Sequence, residues 1–253
     1  DYPFLRHEFL YGLEQTGCAC PDTGWQGCHL LLRDAAGVLA VMPLYLKSHS
    51  YGEYVFDWSW ADAWQRSGLH YYPKLVSAIP FTPATGPRLC MREDADPAAT
   101  WSAALDAIRG FANKRGISSW HLLFPEQDVA RSLLAAGLHR RTATQFHWFN
   151  RGYTSFDDFL ADFTSRKRKN LRRERARVAE QGLTLRTLCG EEIGAREWQQ
   201  FHHFYRMTYA KRSGHGGYLT REFFTHAAPR LGEQVIMVMA CLEGRAVAGA
   251  LYF

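Results

Sequence analysis

Apolar positions change period along this chain, and the changes mark its elements. Phe4, Leu5, Phe9, Leu10 and Leu13 recur at helical spacing, which predicts a helix over residues 3–13. Residues 16–27 are rich in Gly and Cys, lack a period and read as a loop. Two apolar runs, 29–32 and 38–46, flank Asp34 and Gly37, both turn formers, and predict a β-hairpin. Residues 54–58 follow as a third strand, and 71–79 as a short helix ended by Pro80. The next stretch alternates: a helix over 100–114 stopped by Gly116, a strand over 119–124, a helix over 127–136 ended by Gly137, and a strand over 142–149. A helical run opens at 156–163 and continues into a basic stretch. A strand over 183–188, a long helix over 191–211 and a helix holding Phe223 and Phe224 come after it. A second hairpin, 235–241 and 246–253, turns around Leu242 to Arg245.

Helices alternating with strands at this spacing give an α/β layer fold with a mixed sheet. The opening and the close of the chain also match each other. FLRHEFL at 4–10 aligns with YLTREFF at 218–224, and GVLAVMPLYL at 37–46 with GRAVAGALYF at 244–253. A repeat of this kind predicts one unit over residues 1–150 and the start of a second over 151–253, stopping at its first hairpin. The first residue is not Met and the last lies inside an apolar run. The expectation is therefore a longer native chain, with about a hundred further residues completing the second unit.

Composition adds limits. Apolar residues make up 47% and charged residues 22%, enough for a sizeable core. No apolar run reaches the roughly 18–20 residues of a membrane span, and no basic-then-apolar leader is visible, so the expected compartment is the cytoplasm. The six cysteines lack the spacing of a zinc knuckle and read as reduced, mostly buried thiols, so no metal is expected. The net charge of +5 is uneven: residues 165–177 (SRKRKNLRRERAR) carry eight Lys or Arg against one Glu, a local +7, leaving −2 for the rest. Arg166, Lys169, Arg173 and Arg177 share one helical face there and suit phosphate groups; a plainly solvated helix is the competing reading.

The order helix, hairpin, third strand, helix, strand, helix, strand resembles the core of the GNAT acyltransferases. Two such units in tandem resemble the Fem family, whose members add amino acids, taken from aminoacyl-tRNA, to peptidoglycan precursor peptides. The second half carries the local likeness: RKNLR at 168–172 with its helical run to Gly182, then FYRMTYAKR at 204–212 followed by Tyr218 and Phe223. A likeness over nearly the whole chain is to the bacterial FemAB-like group, through DWSWAD at 57–62, YYPK at 71–74, PFTP at 80–83 with GPR at 86–88, and QFHW at 145–148. The resemblance implies tandem GNAT-like acyl-CoA N-acyltransferase units, with no tightly bound cofactor and with acyl-CoA or aminoacyl-tRNA as co-substrate. It also implies a small-molecule or peptide amine as acceptor, tRNA among the candidate partners, and substrate contacts at Lys74, Arg88, Arg168, Asn170, Arg172, Tyr205 and Tyr218. The long helical arm that some Fem enzymes insert for tRNA is not visible.

Acyl transfer to an amine needs a neutral amine and donors at the developing oxyanion, and no covalent nucleophile. That suits a sequence without a G-x-S-x-G elbow or a Cys–His pair. Asp57 and Asp62, just past the expected third strand, are the candidate bases; the competing reading makes them a turn cap and a helix start. His121 and His147 alternate with apolar neighbours and read as half-buried strand residues. The acyl-CoA signature of simple GNAT enzymes is absent after the third strand, which leaves the donor open. The rival class is a nucleic-acid-binding protein using helix 165–177.

Overall fold

The computed structural model describes residues 2–253. In chain order the elements are α1 (His7–Gln15), β1 (Trp25–Gly27), β2 (Leu30–Asp34), β3 (Gly37–Met42), β4 (Tyr45–Lys47) and α2 (Trp58–Arg66). They continue with β5 (Lys74–Ser77), β6 (Cys90–Met91), α3 (Pro97–Arg115), β7 (Trp120–Leu122), α4 (Gln127–Ala135), α5 (Phe156–Ala161) and α6 (Ser165–Glu180). Last come β8 (Leu183–Cys189), α7 (Ala195–Ser213), two tight helical segments over Phe223–Ala227 and Ala228–Gln234, β9 (Ile236–Leu242) and β10 (Arg245–Tyr252).

The strands form three sheets, and the fold is mixed α/β. One runs β1-β4-β5-β7, antiparallel except for the parallel β5–β7 pair, which α3 connects. The others are antiparallel, β2-β3-β6 and β10-β9-β8. The second hairpin falls where the apolar runs put it; the first does so only in part, because the run 38–46 breaks at residues 43–44 into β3 and β4, which join different sheets, and β1 lies inside the expected loop 16–27. At the second, Glu243 (φ 49°) and Gly244 (φ 74°) form a two-residue left-handed turn whose twist suits the flanking strands. Helix α3 begins at Asp96, which accepts from the Ala99 N–H at 2.7 Å, and stops at Gly116 in the left-handed region.

Further expectations fail, each for a local reason. Residues 71–79 contain no helix; they contain β5, a strand between two others and buried at all four positions, so its apolar run shows no alternation. Residues 54–58 are not a strand, because Tyr54 takes a left-handed backbone (φ 57°) and Asp57 already caps α2. Residues 142–149 have strand-like alternation but no neighbouring strand among the described residues, and they lie exposed. The run from 156 onward is two helices, because Thr164 is extended (ψ 152°) and α6 starts afresh at Ser165.

The larger core draws on both ends of the sequence. Phe9, Leu13, Trp25, Tyr45 and Val76 pack in one cluster with Leu188, Trp198, Phe223, Phe224 and Met237. Gly12 makes the meeting possible: a Cβ there would come within 2.5 Å of the Ala227 Cβ, so only glycine lets α1 approach that segment so closely. A smaller core beneath β2-β3 gathers Met42, Leu44, Leu75, Leu89, Ala104 and Ile108.

Candidate active site

A cavity of about 700 Å³ opens where these two ends of the chain face each other. One wall is the loop after β4, with His49, Tyr51, Tyr54, Phe56 and Trp58. The other is the loop after α7, with Ser213, His215, Gly217 and Tyr218; Cys18, Thr23 and Phe81 complete it. The two walls are tied by aromatic contacts. Tyr218 stacks on Phe81 (5.0 Å, 15°), and the Tyr54 and Tyr209 hydroxyls lie 3.1 Å apart. Tyr54 and Phe81 both hold left-handed backbones (φ 57° and 60°), each costing about 1–2 kcal/mol. Strained bulky residues of this kind persist where the surroundings over-determine them.

Among its described lining residues the cavity has no Asp, Glu, Lys or Arg. Its polar groups are hydroxyls, a thiol and two imidazoles. The His49 Nδ1 accepts from the Tyr51 N–H at 3.2 Å, and the His215 Nδ1 accepts from the Gly217 N–H at 3.0 Å. With Nδ1 used as acceptor, the neutral ring carries its proton on Nε2, and neither Nε2 has a hydrogen-bond partner among the described residues. Burial, helped by the nearby Lys47 charge, lowers the His49 pKa and favours this neutral form.

Behind the first wall lies a buried ionic cluster. Lys74 on β5 is fully buried and donates to Ser50 Oγ (2.8 Å), Glu53 Oε2 (2.8 Å) and Asp57 Oδ2 (2.6 Å). Tyr71 adds a bond to Asp57 Oδ2 at 2.7 Å. Burial opposes the Asp57 charge, but bonds from Lys74, Ser50 and Tyr71 outweigh it and hold the carboxyl below its ordinary value. Glu53 goes the other way: burial raises its pKa against the pull of Lys74. Lys47 is also fully buried, 3.6 Å over the Trp25 ring with one bond to the Tyr51 carbonyl, and burial lowers its pKa to about 7. The sequence pattern 50–57 thus fixes a loop from behind: its carboxylates turn inward to lysine while its rings turn to the cavity.

The expected site residues divide accordingly. Tyr218 lines the cavity, and Tyr205 supports it by accepting from the Tyr218 and Leu219 N–H groups at 2.9 and 3.1 Å. Asp57 and Lys74 meet in the cluster behind the wall. Asp62 sits on the exposed face of α2, paired with Arg66 at 2.9 Å. Arg88 is buried and donates to the carbonyls of Ala84, Gly86, Pro87 and Leu123, an anchor for its loop. On α6, Arg168 donates to the Phe163 carbonyl at 2.8 Å, Arg172 pairs with Asp157 at 2.9 Å, and Asn170 accepts from Arg173 at 3.5 Å; α6 lends no side chain to the cavity. His121 is half-buried and bonded to Ser119 Oγ, whereas His147 is exposed, because its segment is no strand. Sequence reading missed His49, Tyr54 and His215. The signal available was the density of aromatic residues and histidines in 49–58 and 209–218 beside Gly52 and Gly217.

The mixed α/β fold thus carries an open, aromatic, histidine-bearing cleft between its sequence halves. The chain belongs to the FemAB_like family, described as peptidoglycan biosynthesis/recognition, whose family model matches residues 1–253. Among solved structures it is similar to the crystal structure of FemX, at 14% identity and a TM-score of 0.43, over 92% of this chain and 51% of that one. The chain therefore spans about half the length of FemX. No protein with a curated description matches it.

Proposed function

We propose that the protein is an N-acyltransferase that moves an acyl or aminoacyl group onto an amine of a peptidoglycan precursor, working from the cytoplasm. The cleft between residues 49–58 and 213–218 holds the reacting groups. The observation that carries this reading is the pair of unpartnered Nε2–H donors, His49 and His215, in a lining without charged side chains. With no carboxylate to hold its proton, a desolvated amine enters neutral and nucleophilic. Its nitrogen attacks the carbonyl carbon of an ester or thioester, and the carbonyl electrons move to oxygen, where the imidazole N–H groups donate. Collapse expels the alkoxide or thiolate, which leaves with the amine proton. Asp57 then serves as a positioning residue through Lys74, not as the base.

The donor in this reading is acyl-CoA or aminoacyl-tRNA, used as a co-substrate. The two matching hairpins belong to two GNAT-like units, 1–150 and 151–253, with the cleft at their junction. The test supplies labelled acyl-CoA or aminoacyl-tRNA with a muramyl-pentapeptide acceptor and measures amide formation. His49→Phe and His215→Phe should each lower kcat about 100-fold with little change in KM. Wild-type rates in both variants would reject the site; absence of amide from either donor would reject the reaction.

A further inference from the structure

Two lysines face each other behind the first wall, and only one of them is neutralised. Lys47 and Lys74 are direct partners in the β4–β5 register, and both are fully buried. Lys74 donates to Ser50, Glu53 and Asp57, which fixes the loop on either side of Tyr51 and Gly52. Lys47 has no carboxylate within 4 Å among the described residues; its Nζ donates to the Tyr51 carbonyl at 3.2 Å and sits over the Trp25 ring. The Tyr51 ring lies on the cavity side and is 58% exposed. Gly52 follows in the left-handed region (φ 80°), and its carbonyl accepts from the Phe81 N–H at 3.1 Å. The cavity rim at these two residues therefore rests, on its inner side, upon a buried amine.

We propose that Tyr51–Gly52 is a proton-operated segment of the cavity rim: charging Lys47 lifts it, and discharging Lys47 seats it. A buried ammonium opposite a second one, with a single carbonyl acceptor, gains hydration when the Tyr51 peptide moves off and admits water. A neutral amine gains little from water, and the rim stays down. With the rim seated, burial lowers the Lys47 pKa to about 7, Glu53 opposing and Lys74 adding to the shift, against 10.5 in water. The lifted state thus holds the proton more tightly, and falling pH favours it between those values, by up to about tenfold per pH unit. Below pH 7 both states are protonated and the effect ends. The groups around Lys47 change little in this range. Burial keeps His49 in the loop below 6.5 and brings His121 on β7, beside Tyr71, to about 4. Burial raises Tyr71 and Tyr72, next to Lys74, above 10. Asp57 is held below its ordinary value, and Glu53, raised by burial, is already bonded to Lys74. Rim movement does not depend on the transfer reaction.

The test is native-state hydrogen exchange of the whole chain by NMR, corrected for the intrinsic pH dependence of amide exchange. The Phe81 and Tyr51 amides, bonded to the Gly52 carbonyl and to His49 Nδ1, report the rim. Their protection should fall by up to about tenfold per pH unit from about pH 9 to about pH 7 and then level off. It should stay well below that of the Leu75 amide, which is bonded to the Ser119 carbonyl between β5 and β7 and opens with the whole fold. In Lys47→Met the protection of the rim amides should not change with pH. Should that variant fail to fold, the wild-type 13Cε resonance of Lys47 decides: a midpoint near 7 that tracks the protection supports the proposal, and one near about 10 overturns it. Protection independent of pH in the wild type, the same slope in folded Lys47→Met, or rim amides as protected as Leu75 would also overturn it.

Discussion

Lys47 and Lys74 stand opposite each other across the β4–β5 pair, yet their situations differ. Lys74 has three oxygen acceptors and neutralises the carboxylates that draw the cavity wall inward. Lys47 has one carbonyl and the face of Trp25. Its pKa of about 7, against 10.5 for a solvated lysine, means that the unfolded chain binds the proton more tightly than the folded one. Stability therefore rises with pH above 7, by up to about 1.4 kcal/mol per pH unit. The half-buried thiol of Cys28, whose pKa partial burial raises, works against the trend above about pH 8.5, where an unfolded thiol ionises. Urea midpoints for the wild type should climb between pH 7 and that limit, and those of Lys47→Met should stay flat.

At the scale of elements, the second cavity wall depends on how α7 ends. Gly214 closes the helix in the left-handed region (φ 72°) with open space around it. Gly217 is also left-handed (φ 93°), but a Cβ there would sit 2.3 Å from the Tyr205 ring. Alanine at 214 should cost about 1 kcal/mol of backbone strain alone, while Gly217→Ala should cost about 2–4 kcal/mol through strain and overpacking. Because Tyr205 also receives the Tyr218 and Leu219 N–H groups, Gly217→Ala should impair the proposed transfer beyond its effect on the thermal midpoint. Elements with a strong period were legible in the sequence: α3, α4, α7 and the second hairpin follow from spacing and their glycine stops, whereas the first hairpin's long run concealed the break between β3 and β4. The central strand β5 was not, since burial on both faces erases the alternation that identifies a strand. Nor was the 49–58 wall, whose shape comes from a lysine more than fifteen residues away and from a tyrosine backbone that propensity disfavours. Tyr218 was legible only through family likeness, and its neighbour His215 through nothing but position.

For the molecule as a whole, the joined core decides how the cleft can work. Phe9, Trp25 and Tyr45 interlock with Phe223, Phe224 and Met237, so the two sequence halves cannot swing apart without exposing that cluster. Hydrogen exchange should accordingly show ligand-dependent protection at residues 49–58 and 213–218, with the amides of β5 and β9 unchanged. Uniform protection across both halves would indicate a hinge instead. Arg88, buried with carbonyl partners from one short loop and from Leu123, shows the same economy at the foot of the first wall.

The close approach of α1 to the Phe223–Ala227 segment at Gly12 has a consequence for how such a protein can change over evolutionary time. A hydrogen atom in place of a methyl group is what allows the beginning and the end of the sequence to share one interior. Enlarging that single position would push apart two segments more than two hundred residues distant, and with them the lips of the pocket. Selection on the cleft would thus be felt at a residue that does not line it.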